Sequence, residues 1–298
     1  MKQYMFSTAL VTGCGGDIAL GIGRILRQEG LVRTIIGCDI YSGHAGPFVF
    51  DRCETIARGD ADGYYSDLER VIRTHGVDVL IPTAETELRA FAGLDRLETF
   101  CGAVVITANK RALTVGLDKL ETAFFLEKAG LPFPRTGVMR TSQPASLPFV
   151  VKHRFGAGSK GFAVVDSDEL KVYYAQKRPD DIWQEYLYPD DREYTCGLFG
   201  PADARRPMRY IVMKRKLQGG LTGSGEVTDD PSIGTVLEKL GRALELRGSI
   251  NVQLRLTPKG PVIFEINPRF SSTVVFRHLM GFRDLCWAMA EKAGEQLP

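Results

Sequence analysis

Val262-Ile263-Phe264-Glu265-Ile266-Asn267-Pro268-Arg269-Phe270-Ser271-Ser272 is the stretch on which the reading of this chain turns. Two-residue alternation in a strand puts Glu265 and Asn267 on one face, with Phe264 and Ile266 on the other. Pro268 stops the strand directly behind them. Upstream, residues 250–256 read as a second strand, and Thr257-Pro258-Lys259-Gly260 as the turn that folds the two into a hairpin. Gln253 then faces the polar pair from the partner strand. One carboxylate and two amide oxygens are hard ligands suited to Mg²⁺, an ion that also bridges substrate phosphates. Arg269 stands beside them as a fixed cation for phosphate oxygens. A Glu–Arg pair on an edge strand would explain the charges, but not Asn-Pro-Arg placed straight after an apolar strand.

Working outward, Pro148-Phe149-Val150-Val151-Lys152 is an apolar strand ending in a lysine. It leads into Phe155-Gly156-Ala157-Gly158-Ser159-Lys160-Gly161. Gly156, Gly158 and Gly161 let backbone N–H groups close over phosphates beside the hydroxyl of Ser159, and Lys152 adds a point charge. Strands are expected at 161–165, 181–187, 193–199 and 209–215, and helices at 232–246 and 285–293. Lys214, Arg215 and Lys216 precede Gln218-Gly219-Gly220-Leu221-Thr222-Gly223-Ser224-Gly225. The run reads as a mobile loop that closes over phosphate and substrate, with Arg215 as a catalytic cation together with Arg269 and Lys152.

The first 110 residues have another texture. Strands at 9–11, 34–39, 77–81 and 104–106 alternate with helices at 18–29, 64–74 and 85–92, which predicts a parallel, doubly wound sheet covered on both faces. From Leu113 the strands become antiparallel in character, so the domain boundary is set within 107–117. The fold class is α/β, a Rossmann-like sheet followed by a two-lobed α+β domain. The domains are 1–110 and 111–298, the latter split into a small lid at about 113–187 and a metal-binding lobe at about 188–298.

Residues 264–272, with Asn251-Val252-Gln253 upstream, resemble the metal-binding segment of ATP-grasp enzymes, and most of all the synthetase halves of the carbamoyl-phosphate synthetase large subunit. The resemblance covers about residues 110–298 well and, more loosely, the Rossmann-like unit before them. It implies that Glu265 and Asn267 ligate Mg²⁺ (with Mn²⁺ as a substitute ion), that Gln253 assists, and that Arg269 contacts transferred phosphate or substrate. Asp118-Lys119, followed by Gly130-Leu131-Pro132, looks like the family's lysine-bearing helix, which makes Lys119 a phosphate contact. Trp183-Gln184-Glu185-Tyr186-Leu187 resembles the hinge whose backbone holds adenine, and Glu193 matches the carboxylate expected at the ribose. The activity implied is a ligase that makes C–N bonds from ATP, a small-molecule carboxylate and an amine through an acyl phosphate. Carbamoyl phosphate synthesis is the alternative within the family.

Glu85 and Glu87 are candidates for attracting the amine, although Glu87 also fits a solvated helix face. Arg277 is a candidate for a substrate carboxylate, while His278 reads equally as a core residue. Thr12-Gly13-x-Gly15-Gly16 with Asp39 ending the next strand approaches a dinucleotide fingerprint. Tyr173-x-x-x-Lys177, with Ser159 upstream, matches the catalytic pair of short-chain reductases. Against an oxidoreductase, the third fingerprint glycine falls at Ala19, and Glu265–Arg269 would have no role.

Composition narrows the partners. The 298 residues carry 38 basic and 36 acidic side chains, a net charge of +2, so no polyanion-binding field is expected and nucleic acid is set aside. Six cysteines stand at 14, 38, 53, 101, 196 and 286 with no Cys-x-x-Cys, a spacing that offers neither a zinc motif nor a disulfide framework. No signal-peptide core or membrane span is read. A cytoplasmic setting is expected, and a homodimer is compatible.

Overall fold

The computed structural model describes residues 4–156, 161–218 and 221–295. In the first sheet Phe6–Thr12 (β1), Val32–Asp39 (β2), Arg52–Thr55 (β3), Val79–Ile81 (β4), Thr99–Phe100 (β5) and Ala103–Val105 (β6) take the order β3-β2-β1-β4-β6-β5. Neighbours are parallel except for the β5–β6 hairpin. Leu10, Ile36 and Leu80 join one core, and Ala9, Val11, Ile35 and Ile81 join another. A sheet buried on both faces reads as continuous apolar runs, and these do. Helices Asp17–Glu29 (α1), Tyr64–His75 (α2) and Glu85–Ala92 (α3) cover it. Because β1 leads to β2 on one side while β4 lies on the other, a crevice opens at the carboxyl ends of β1 and β4.

Lys110–Gly116 (α4) occupies the expected domain boundary. Asn109 docks it: its backbone N–H donates to Arg247 O at 2.9 Å, and its side-chain amide donates to Leu244 O at 3.2 Å. Lys119–Lys128 (α5) follows, its N-terminus capped by Asp118, which accepts from Leu120 N at 3.0 Å. The second sheet is antiparallel, with Thr136–Val138 (β7), Phe149–Lys152 (β8), Ala163–Val165 (β9) and Ile182–Glu185 (β10) in the order β7-β10-β8-β9. Asp168–Lys177 (α6), which sequence patterning left unassigned, has no buried residue.

The third sheet holds Glu193–Gly200 (β11), Arg209–Gln218 (β12), Leu221–Thr228 (β13), Gly248–Thr257 (β14) and Gly260–Asn267 (β15), all antiparallel. Pro231–Ala243 (α7) packs Ile233, Leu237 and Leu240 on one face of it, with Cys196, Leu198 and Val252. Val274–Leu279 (α8) and Asp284–Ala293 (α9) follow, and Phe282 and Trp287 share a core with Val11 of β1 and Ile22 of α1. That common core holds the two ends of the chain together. Among the described residues no helix is long and apolar enough to cross a membrane.

One expectation needs correction. Gly219 and Gly220 lie outside the described residues, but the rest of the glycine-rich run expected to be a mobile loop is strand: Arg215 pairs with Gly225 and Gln218 with Leu221. β13 is an edge strand of the third sheet.

Candidate active site

The β14–β15 register sets Gln253 opposite Glu265 and Asn251 opposite Asn267. Asn267 donates its amide to Glu265 Oε1 at 3.0 Å, so these two side chains do share a face. The other face differs from simple alternation. The register slips between Gln253 and Leu254, leaving Phe264 without a partner across the ladder, and Ile263 rather than Phe264 joins Ile266 in the core. This is a β-bulge, and it re-aims the strand at the site. The Phe264 carbonyl accepts from Lys152 Nζ at 3.3 Å.

Lys152 arrives from β8 in the second sheet and also donates to Gln184 Oε1 of β10 at 2.9 Å. Burial pushes its ammonium down to about 8, with the nearby Lys119 acting in the same direction and Glu265 opposing. Burial works against ionisation of Glu265, but Lys152, Lys119, Asn267 and Arg215 outweigh it and hold the carboxyl below its ordinary range. Gln184 orients Lys152 and donates in turn to Thr136 Oγ1 at 3.1 Å. Sequence reading placed Gln184 only within the adenine hinge and missed its contact with Lys152; the signal was an amide set in the apolar strand Ile182-Trp183-Gln184.

Lys119 begins α5, and its Nζ donates to Gly156 O at 2.5 Å. Gly156 and Gly161 adopt φ of 103° and 74°, conformations that favour glycine. Gly158 and Ser159 lie outside the described residues.

Arg215 donates to Glu193 Oε1 at 2.6 Å and to Gln253 Oε1 at 3.0 Å. The second oxygen of Glu193 accepts from Arg255 at 2.9 Å, and Arg255 also donates to Leu187 O at 2.6 Å. Arg255, a residue the sequence reading passed over, thus ties the expected adenine hinge to the expected ribose carboxylate. Within the hinge, Glu185 N–H donates to Arg135 O at 2.8 Å, its side chain is exposed, and the Tyr186 hydroxyl donates to Asp190 at 2.9 Å.

Arg269 is partly buried and donates to Phe270 O at 2.9 Å. Burial lowers its guanidinium pKa, while Glu85, Glu265 and Asp17 favour the charge. Glu85 opens α3 and lines a cleft of about 520 Å³ with Arg58, Asp60, Arg89, Phe155 and Gly156. Its Oε2 is buried without a hydrogen-bond partner.

Glu87 is not on a solvated face. It is 5% exposed, accepts hydrogen bonds from the Thr12 hydroxyl and from Ala84 N, and burial lifts its carboxyl to about 7. Arg277 is not presented to a substrate either. It is fully buried and pairs with Asp284 at 2.8 Å, and Asp284 in turn accepts from the Ser249 hydroxyl. His278 is buried and contacts Glu29 at 3.1 Å.

The dinucleotide fingerprint is spent within the protein. Asp39 Oδ2 accepts from Gly15 N at 2.8 Å, and a Cβ on Gly15 would fall 2.7 Å from His44 Cβ. The His44 loop therefore covers the turn that a pyrophosphate would need. Tyr173 lies on α6, away from that sheet, and its ring is 51% exposed.

A family model for the ATP-grasp domain matches residues 117–273, just over half of the chain. This chain belongs to the ATP-grasp family. The carbamoyl phosphate synthase large chain of Micrococcus luteus is 25% identical over 196 residues, which cover 59% of this chain and 18% of that relative's length. Among solved structures, N5-carboxyaminoimidazole synthetase from Staphylococcus aureus complexed with ADP superposes with a TM-score of 0.77 at 14% identity, covering 98% of this chain and 78% of the other. The biotin carboxylase domain of Hydrogenobacter thermophilus 2-oxoglutarate carboxylase gives 0.75 at 16% identity, covering 99% and 71%. These likenesses extend the ATP-grasp fold over the Rossmann-like sheet as well.

Proposed function

We propose that this chain is an ATP- and Mg²⁺-dependent ligase that joins a small-molecule carboxylate to an amine through an acyl phosphate. The observation that carries this reading is the convergence of Glu265, Asn267 and Gln253 on one hairpin with Lys152 brought in from the second sheet. The three oxygen donors fit a hard divalent cation, which would sit with ATP and neutralise charge on its phosphates. Our reading divides the chain into a Rossmann-like domain at 1–110 and an ATP-grasp domain at 111–298, with its lid at about 113–187 and metal-binding lobe at about 188–298.

ATP lies between lid and lobe. Lys119, Lys152 and the glycine turn hold its phosphates, the 185–187 backbone holds adenine, and Glu193 exchanges an arginine for the ribose. A carboxylate attacks the γ-phosphorus, and Arg269 spreads the charge that develops; phosphoryl transfer depends mostly on such positioning and electrostatics. An amine then displaces phosphate from the acyl group. Glu85, with an unpartnered oxygen beside Arg269, is the proposed anchor for the amine.

The test is thermal unfolding with Mg²⁺-ATP, with ATP plus chelator, and with NADPH. Saturation at a hundred times Kd stabilises by about 2.7 kcal/mol. Stabilisation that needs magnesium and is lost in Glu265→Gln supports the reading; stabilisation by NADPH alone refutes it. ADP release screened across carboxylate–amine pairs, with bicarbonate and ammonia as one pair, then separates amide ligation from carbamoyl phosphate synthesis.

A further inference from the structure

Cys14, Asp39 and His44 are too far apart in sequence to read as a motif, yet the first sheet brings them together. Cys14 follows β1, Asp39 ends β2, and His44 stands on the loop beyond it. One donor atom from each lies within 4.8 Å of the other two. Cys14 Sγ and His44 Nε2 are 3.5 Å apart. Zinc bonds sulfur at about 2.3 Å and imidazole nitrogen at about 2.0–2.1 Å, so tetrahedral ligands of these kinds sit about 3.6 Å apart.

The surrounding glycines make the approach tight. A Cβ on Gly37 would fall 2.7 Å from Cys14 Cβ, one on Gly15 2.7 Å from His44 Cβ, and one on Gly46 2.7 Å from the His44 ring. Asp39 is oriented by two backbone donors, Gly15 N at 2.8 Å and Ile40 N at 2.7 Å, which leave its other lone pairs for a ligand. The carboxylate is buried. Burial, with Cys53 and Asp39 acting the same way, pushes the Cys14 thiol up from its ordinary range, so a metal that binds there must displace its proton.

We propose that Cys14, Asp39 and His44 form a binding site for a thiophilic divalent metal of the zinc class, distinct from the Glu265 centre. Cys53 on β3 adjoins the Cys14 thiol and, with water, is the candidate for the fourth position. Bound metal would clamp the glycine turn of β1 to the 40–50 loop beside the crevice. Ligation through Nε2 requires the Gly46 N–H, now 3.0 Å from Nδ1, to give up that contact. His44 is half-buried on a surface loop, and one hydrogen bond is small against three metal–ligand bonds.

The site is tested by titrating the chelator-treated full-length protein with Co²⁺ and following thiolate-to-cobalt absorption, with Zn²⁺ as competitor. One equivalent should give the band, and zinc should abolish it. Cys14→Ser should lose the band, His44→Gln should raise Kd at least tenfold, and Glu265→Gln should leave both unchanged. Circular dichroism of each variant checks that it is folded; His44→Gln, at a half-buried loop position, keeps the test open if Cys14→Ser does not fold. No band in the wild type, a band that survives Cys14→Ser, or one with unchanged Kd in His44→Gln would overturn the proposal.

Discussion

Glu87→Gln should remove a dependence of stability on pH that the wild type shows between about pH 4.5 and 7. Glu87 lies beneath the crevice, and burial raises its carboxyl from the ordinary 4.5 to about 7, against hydrogen bonds from Thr12 and Ala84 that favour the ion. Between those two values the folded chain keeps a proton that the unfolded chain has lost. The stability contributed by protonated Glu87 is therefore fully present below about pH 4.5 and is lost as pH rises through about 7. At about 1.36 kcal/mol per pH unit the contribution is about 3 kcal/mol. A glutamine fills the same space and does not titrate. Urea unfolding of both proteins from pH 4.5 to 8 should show the wild type losing about 3 kcal/mol relative to the variant. A difference that stays constant to within about 1 kcal/mol over that range would refute the protonated state.

Other outcomes follow from the same geometry. Lys152→Met should lower ATP-dependent turnover on the order of 10²-fold, measured as ADP release, if the buried ammonium meets phosphate as proposed above. Arg277→Met should cost about 3–5 kcal/mol in urea unfolding by leaving Asp284 buried and unpaired, and adding Asp284→Leu should recover much of that loss. Gly161→Ala should destabilise by about 1 kcal/mol or more, since its φ is positive and a Cβ would fall 2.4 Å from His153 Nε2. Thermal unfolding checks this, and an unchanged midpoint would count against the turn geometry.

What could be read in advance depended on distance along the chain. Glu265, Asn267 and Gln253 belong to one hairpin, so alternation and a recognisable turn sufficed to bring them together. The alternating strands and helices of the first sheet were legible for the same local reason. The bulge at Phe264 was not, because a slip in register is decided by which side chain the core accepts, here Ile263. Gln184 and Arg255 were missed because their partners, Lys152 and Glu193, lie on other strands whose pairing no local pattern reveals. Arg277 misled for a related reason: an arginine beside a helix looks solvent-facing until Asp284 and Ser249 are folded around it. Glu87 follows the same logic, since only the β1–β4 neighbourhood brings Thr12 over it.

The bulge has a consequence for the order of events in a catalytic cycle. An ordinary ladder would occupy the Phe264 carbonyl; here it reaches across to the ammonium of Lys152, and so one hydrogen bond joins the second sheet to the third. Nucleotide phosphate would draw on that same ammonium. Any share of the charge that ATP takes is withdrawn from the contact between the sheets, so nucleotide arrival should loosen one fastening as it supplies another. Departure of ADP should restore the first, giving the empty protein its own means of drawing the second sheet back to the third.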